Sequence, residues 1–168
     1  MKIIKIIGLQ LFWYFSIVYG SNIYVPILGA ILYAIDFLVF RKRNHLDHKY
    51  LIFSFILILS GFLLDMGISA FNIMSWSDVF YPTELVGVWL IFPTYYYHFF
   101  KKFKSQVWVS FIVGAIFGPF AYYSGSRINP SISLHFDIGD LVVLCIVWGL
   151  FFMTSIHLFF QLVSKNKD

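Results

Sequence analysis

"YLIFSFILILSGFLLDMGISAF", Tyr50 to Phe71, runs for 22 residues and carries a single formal charge, that of Asp65. As a helix rising 1.5 Å per residue it reaches about 33 Å, enough to cross the ~30 Å hydrocarbon core of a bilayer. It lacks the strict apolar–polar alternation of a half-buried strand. The reading is a transmembrane helix. On either side of it lie five further apolar runs: Ile3–Tyr19, Tyr24–Phe40, Leu85–Phe100, Val107–Tyr123 and Ile138–Leu162. Some sit at the short end of the spanning range, which local bilayer thinning or snorkelling lysines accommodates. Breakers fall mostly between the runs, at Gly20-Ser21-Asn22, Tyr81-Pro82-Thr83 and Ser124-Gly125-Ser126. The expected fold is an all-α membrane protein, a six-transmembrane-helix bundle forming one domain over residues 1–168.

Composition agrees. The chain is 60% hydrophobic and 12% charged, half the charge a soluble domain of this size usually carries, about 25%. Its mean hydropathy is +0.82. Aromatics reach 22%, with 21 Phe and 11 Tyr, a composition suited to lipid contact and interfacial belts. The formal net charge is +4, but the basic residues form short clusters between apolar runs. No basic face with interleaved aromatics exists for stacking on bases, so nucleic acid is excluded as a partner. Cys145 is the single cysteine, which excludes a disulfide framework and a CxxC metal or redox site.

Lysine and arginine set the orientation. One set of run ends carries Lys2, Lys5, Arg41, Lys42, Arg43, Lys49, Lys101, Lys102, Lys104, Lys165 and Lys167, which is 11 of the 12 basic residues. The other set carries Arg127 alone. The positive-inside rule then places both termini and the "RKRNHLDHK" loop in the cytoplasm. The first run also has the charged start and apolar stretch of a signal peptide, but Gln10 and the bulky Trp13-Tyr14-Phe15 fit a retained helix better.

Costly polar groups in membrane helices face one another rather than lipid. Gly61, Asp65, Ser69 and Asn72 share one helical face by their spacing of four, four and three. Glu84, Gly87, Ile91, Thr94 and His98 do the same in the fourth run. Asp140, Val147, Thr154 and Gln161 mark a heptad stripe in the sixth, with His157 beside Thr154. Gly29, Tyr33 and Asp36 align in the second. Four runs thus carry narrow polar seams, and the expectation is a bundle with a polar interior. The fifth run instead presents Ser110, Gly114 and Gly118, a small-residue face for close packing that is also the place where a partner helix would dock.

Asp65 is the leading site candidate, because an aspartate near mid-helix costs about 2.5–3.5 kcal/mol on insertion scales. It is expected either to make an interhelical hydrogen bond, to pair with Arg127, or to serve a ligand or proton. Glu84 and Asp140 begin their helices, where the positive helix end stabilises acids. Convergence of the three acids with Arg127 would make an outward-facing polar site. Gln10, Thr94, His98 and His157 belong to the inner half of the bundle and complete the set of candidate ligand-binding residues. Asp36 is expected to pair with the adjacent basic loop. Asp65 and His98 are the candidate acid–base residues for catalysis. Metal is not expected, since no HExxH or ExxH spacing appears and "HLDH", His45 to His48, reads as a solvated turn. No nucleophile elbow or phosphate-binding glycine loop is present, and no cofactor is implied. Trp76, Tyr81, Trp89 and Trp108 read as interfacial anchors.

Four segments occur in a telling order: "GLQLFWYF", "SGFLLDMGI", "GVWLIFPTYYYHFF" and "GAIFGPFAYYSGSRI". Together they resemble a family of small bacterial inner-membrane proteins defined as domain of unknown function 2878. The resemblance covers nearly the whole chain and implies a multi-pass protein of the bacterial inner membrane with no assigned activity. The resemblance also implies an encoding often near genes for fatty-acyl-chain modification, which directs attention to lipids. The shared motifs single out Gln10, Trp13, Asp65, Trp89, His98, Gly118, Pro119, Tyr122, Gly125 and Arg127. The sixth run matches poorly, leaving Asp140 and His157 outside the resemblance.

The expected function is binding or transport of a small or lipid-like ligand in a polar intramembrane pocket, with membrane lipids as surroundings. Two alternatives stand beside it. One is an intramembrane enzyme acting on lipid or polyprenyl-type substrates with Asp65 as acid or base. The other is an accessory subunit whose Ser110/Gly114/Gly118 face binds a partner.

Overall fold

The computed structural model describes residues 2–19, 22–44, 48–76, 82–99, 106–135 and 137–164. These form six helices: α1 (Lys2–Val18), α2 (Tyr24–Asn44), α3 (His48–Ala70), α4 (Thr83–Phe99), α5 (Val107–Ile128) and α6 (Ile138–Phe159), the last continuing into a π-helical turn, Phe160–Ser164. All six coincide with the apolar runs to within a few residues. Among the described residues, His48–Ala70, Val107–Ile128 and Ile138–Val163 are long and apolar enough to cross a membrane, and the apolar parts of the other three are shorter.

Two features depart from the expected helical spans. α5 continues through Ser124-Gly125-Ser126, with Gly125 buried. The serine hydroxyls there bond back to the carbonyls of Phe120 and Tyr123, so these turn-forming residues are satisfied inside the helix. Two short strands also form, β1 (Met74–Trp76) and β2 (Ile132–Leu134), paired antiparallel with Ser75 opposite Ser133. The entry to β1 is a Schellman turn. Asn72 takes a left-handed φ of 57°, its N–H bonds to Ser69 O, and Ile73 N–H reaches back to Ile68 O at 3.2 Å. Asparagine tolerates this conformation and stops the helix there. Ile73, Met74 and Ile132 then turn inward and join the core.

Pairing of β1 with β2 brings together the C-terminal ends of α3 and α5 and the N-terminal ends of α4 and α6. At the opposite end the Phe53 and Phe159 rings meet edge-on at 5.2 Å, and the Tyr50 hydroxyl donates to Pro93 O at 3.0 Å. Consecutive helices from α3 to α6 therefore run antiparallel. α5 packs most extensively on α6, and α2 on α4. The α2–α4 crossing is close because both helices offer glycine. A Cβ on Gly29 would stand 2.7 Å from Gly87 O, which a real side chain does not tolerate. α1 buries Phe12 in a small cluster with Val25 and Ile91, and Ile17 reaches the main core.

Candidate functional site

Asp65 lies one turn beyond Gly61 on the buried face of α3, and its side chain is 1% exposed. Trp89 of α4 donates its indole N–H to Asp65 Oδ2 at 2.6 Å. Tyr122 of α5 donates its hydroxyl to Oδ1. One carboxyl thus joins three helices. The interhelical hydrogen bond considered for Asp65 is present, and its partners include an indole and a phenol. Arg127 instead lies exposed, with its guanidinium 3.4 Å from the Tyr123 hydroxyl and 5.3 Å from that ring's centre.

Two glycines make room for the cluster. At Gly61 a Cβ would collide with the Trp89 ring, and at Gly118 with the Trp148 ring. Trp148 of α6 lies nearly parallel to Trp89, ring centres 6.0 Å apart at 10°, and edge-on to Tyr122 at 5.6 Å. Trp89 and Tyr122, which donate to Asp65, are thereby each backed by the Trp148 ring. Rotamers held by packing on both sides keep two donors aimed at one acceptor in a low-dielectric interior.

This corrects the reading of Trp89 as an interfacial anchor: it is 3% exposed and belongs to the core. Trp108 is 75% exposed, while Trp76 is half-buried in β1, and Tyr81 lies outside the described residues. Trp89 lies well inside α4, between Glu84 and Thr94, and an indole there reads equally as belt or core from spacing alone.

The remaining candidates whose side chains are described make their contacts elsewhere. Glu84 is buried and accepts from the Asn129 side chain at 3.3 Å, linking the start of α4 to the end of α5. Asp140 is half-buried, and its backbone N–H is capped by the Asp137 carboxylate at 2.7 Å. Thr94 is buried and bonds to Ile91 O within its own helix. Gln10 is exposed on α1. His98 belongs to α4, but its side chain lies outside the described residues, as do His45 to Asp47 of the basic loop. Among the described residues, no group of three or more His, Cys, Asp and Glu side chains is placed to hold a metal ion.

The polar stripe of α6 turns away from the bundle, contrary to expectation. Thr154, His157 and Gln161 are exposed, while Leu144, Trp148, Gly149, Phe152, Ser155, Ile156 and Phe159 face inward. The outward groups are satisfied locally. Thr154 bonds to Leu150 O at 2.7 Å, and Gln161 meets the His157 ring at 2.7 Å. Burying bulky aromatics against α5 gains more apolar area than burying this sparse stripe. The small-residue face of α5 is likewise occupied. Gly114 and Gly118 receive Trp148 and Phe152 of the chain's own α6, so the helix docked there is intramolecular.

These features define a helical membrane protein built around a buried aspartate held by an indole and a phenol. The chain belongs to the family described as protein of unknown function (DUF2878), whose model matches residues 2–154. The match takes in Asp140 and Thr154 of α6 and ends short of His157. No curated protein and no solved structure matches the chain.

Proposed function

We propose that this protein crosses the bacterial inner membrane six times, with both termini in the cytoplasm, and binds a small or lipid-like ligand at the Asp65–Trp89–Tyr122 cluster. The orientation is supported by the basic residues, 11 of 12 of which flank the helix ends opposite the β1–β2 ribbon in the chain order. Shorter spans such as the 17-residue α1 reach about 26 Å, close to the hydrocarbon thickness and easily matched by local thinning.

The observation that carries the binding reading is the burial of Asp65 where three helices meet. A carboxyl is an expensive means of joining helices, when apolar contacts or small residues serve the same end. Its oxygens can accept hydrogen bonds from a ligand hydroxyl or amine that replaces or shares the protein's own donors. The test is mass spectrometry of small molecules retained by the gently purified protein. A compound enriched with the wild type and lost from Asp65→Asn supports the reading, whereas identical contents in both count against it.

The enzymatic alternative is favoured by one contact, the Tyr122 hydroxyl on Asp65, which sets a hydroxyl donor against a carboxyl that could serve a substrate as acid or base. Comparing membrane lipids of a deletion strain with an Asp65→Asn strain tests it. Matching changes in one lipid class support catalysis, and unchanged profiles in both strains argue it away.

A further inference from the structure

Trp148 is 7% exposed, and its indole N–H is sealed from solvent without a hydrogen-bond acceptor among the described residues. Buried N–H donors in native proteins are nearly always paired, so one left over among the described residues calls for an acceptor. This donor belongs to a ring that lies against Trp89 and Tyr122, the two side chains that donate to Asp65. Gly118 is kept free of a side chain at the point where the Trp148 ring sits, so the ring is held rigidly and its N–H cannot swing to another partner.

We propose that Trp148 is a ligand-recognition residue whose indole N–H binds a neutral oxygen of a lipid-like molecule, of the kind in a hydroxyl or an ester carbonyl. The inference rests on the binding reading above and adds the ligand's acceptor group to it. Neutrality follows from the neighbourhood. The rings against Trp148 hold the Asp65 carboxyl, and Arg127 is exposed and engaged with Tyr123. An anionic head placed beside Trp148 would meet a like charge whenever Asp65 is ionised, and no arginine among the described side chains is buried to offset it. The rings packed around Trp148 are Trp89, Phe151 and Phe152, apolar surfaces of the kind an acyl or prenyl chain would contact on entering between the helices.

The indole N–H resonance reports the contact directly. The full chain, labelled with 15N-tryptophan, is placed in nanodiscs of ether-linked phosphatidylcholine, which carries no ester carbonyl. Its five tryptophans give five indole signals, and Trp148→Phe assigns the one in question. Titration with 1-dodecanol or methyl dodecanoate is expected to move the Trp148 signal downfield and saturably. Dodecane, with the same chain and no oxygen, is expected to leave it in place, and dodecanoate to move it at least tenfold less effectively. An equal response to dodecane overturns the proposal, as does a signal that no probe moves, whether a ring face or a resident water holds the N–H. If the alcohol shifts Trp89 but not Trp148, the role of Trp148 falls while binding at Asp65 stands. If neither shifts, both fall together.

Discussion

Removing the Tyr122 hydroxyl is the most direct perturbation of the cluster. Tyr122→Phe keeps the ring against Trp148 and deletes one of the donors to Asp65. Hydrogen bonds to charged groups contribute about 1.5–3 kcal/mol in soluble proteins. Side-chain hydrogen bonds within membranes average about 0.6 kcal/mol and reach about 1.7. Asp65 is 1% exposed and its partners are fixed by packing, so the upper part of the membrane range applies, and the variant should lose about 1.2–1.7 kcal/mol. That is a change of roughly 8- to 18-fold in the unfolding equilibrium. The assay is detergent-induced unfolding in mixed micelles, run as a double-mutant cycle with Asp65→Ala. A coupling energy of about 1–2 kcal/mol is expected. If the two losses add to within about 0.5 kcal/mol, the margin seen for independent sites, the hydrogen bond contributes nothing and the hub is wrong.

Gly61→Ala and Gly67→Ala lie on the same helix and should move stability in opposite directions in that assay. The first drives a methyl into Trp89 and should cost about 1–3 kcal/mol. The second meets nothing within 4 Å, and should gain up to about 1 kcal/mol from helix propensity. Topology is checked with single cysteines in a Cys145→Ala background. A membrane-impermeant maleimide applied to whole spheroplasts should label position 131, beside β2, and spare position 104. The reverse pattern would invert the orientation. Intact-mass measurement of membrane-extracted protein should find α1 retained, because Phe12 and Ile17 are buried against the bundle. A product missing about twenty N-terminal residues would instead identify the first helix as a leader.

Hydropathy alone located all six helices, because a long apolar run has few alternatives to a helix. Asp65 stood out for the same reason: one carboxyl in 22 apolar residues is conspicuous, and its helical face could be read from Gly61 and Ser69. Its partners were harder to find. Trp89 and Tyr122 are aromatic residues among many, and neither spacing nor hydropathy tells a core donor from an interfacial ring. The α6 stripe misled because heptad spacing shows that Thr154 and Gln161 share a face but not which way it points. Size decided that, since Trp148 and Phe152 fit the glycine face of α5 and the stripe was left outside. The β1–β2 ribbon left no trace in the pattern, as three-residue strands are too short to show alternation. Asn72, whose spacing reads as the last position of the Gly61–Asp65–Ser69 face, lies beyond the end of α3 and forms the turn that starts the ribbon.

That small ribbon has a mechanical consequence. It fastens the α3–α4 connection to the α5–α6 connection directly above Asp65, with Met74 and Ile132 pressed into the core beneath it. On the binding reading proposed above, this seam favours approach to the aspartate sideways between neighbouring helices, so a ligand's solubility in the surrounding leaflet governs its arrival as much as its fit.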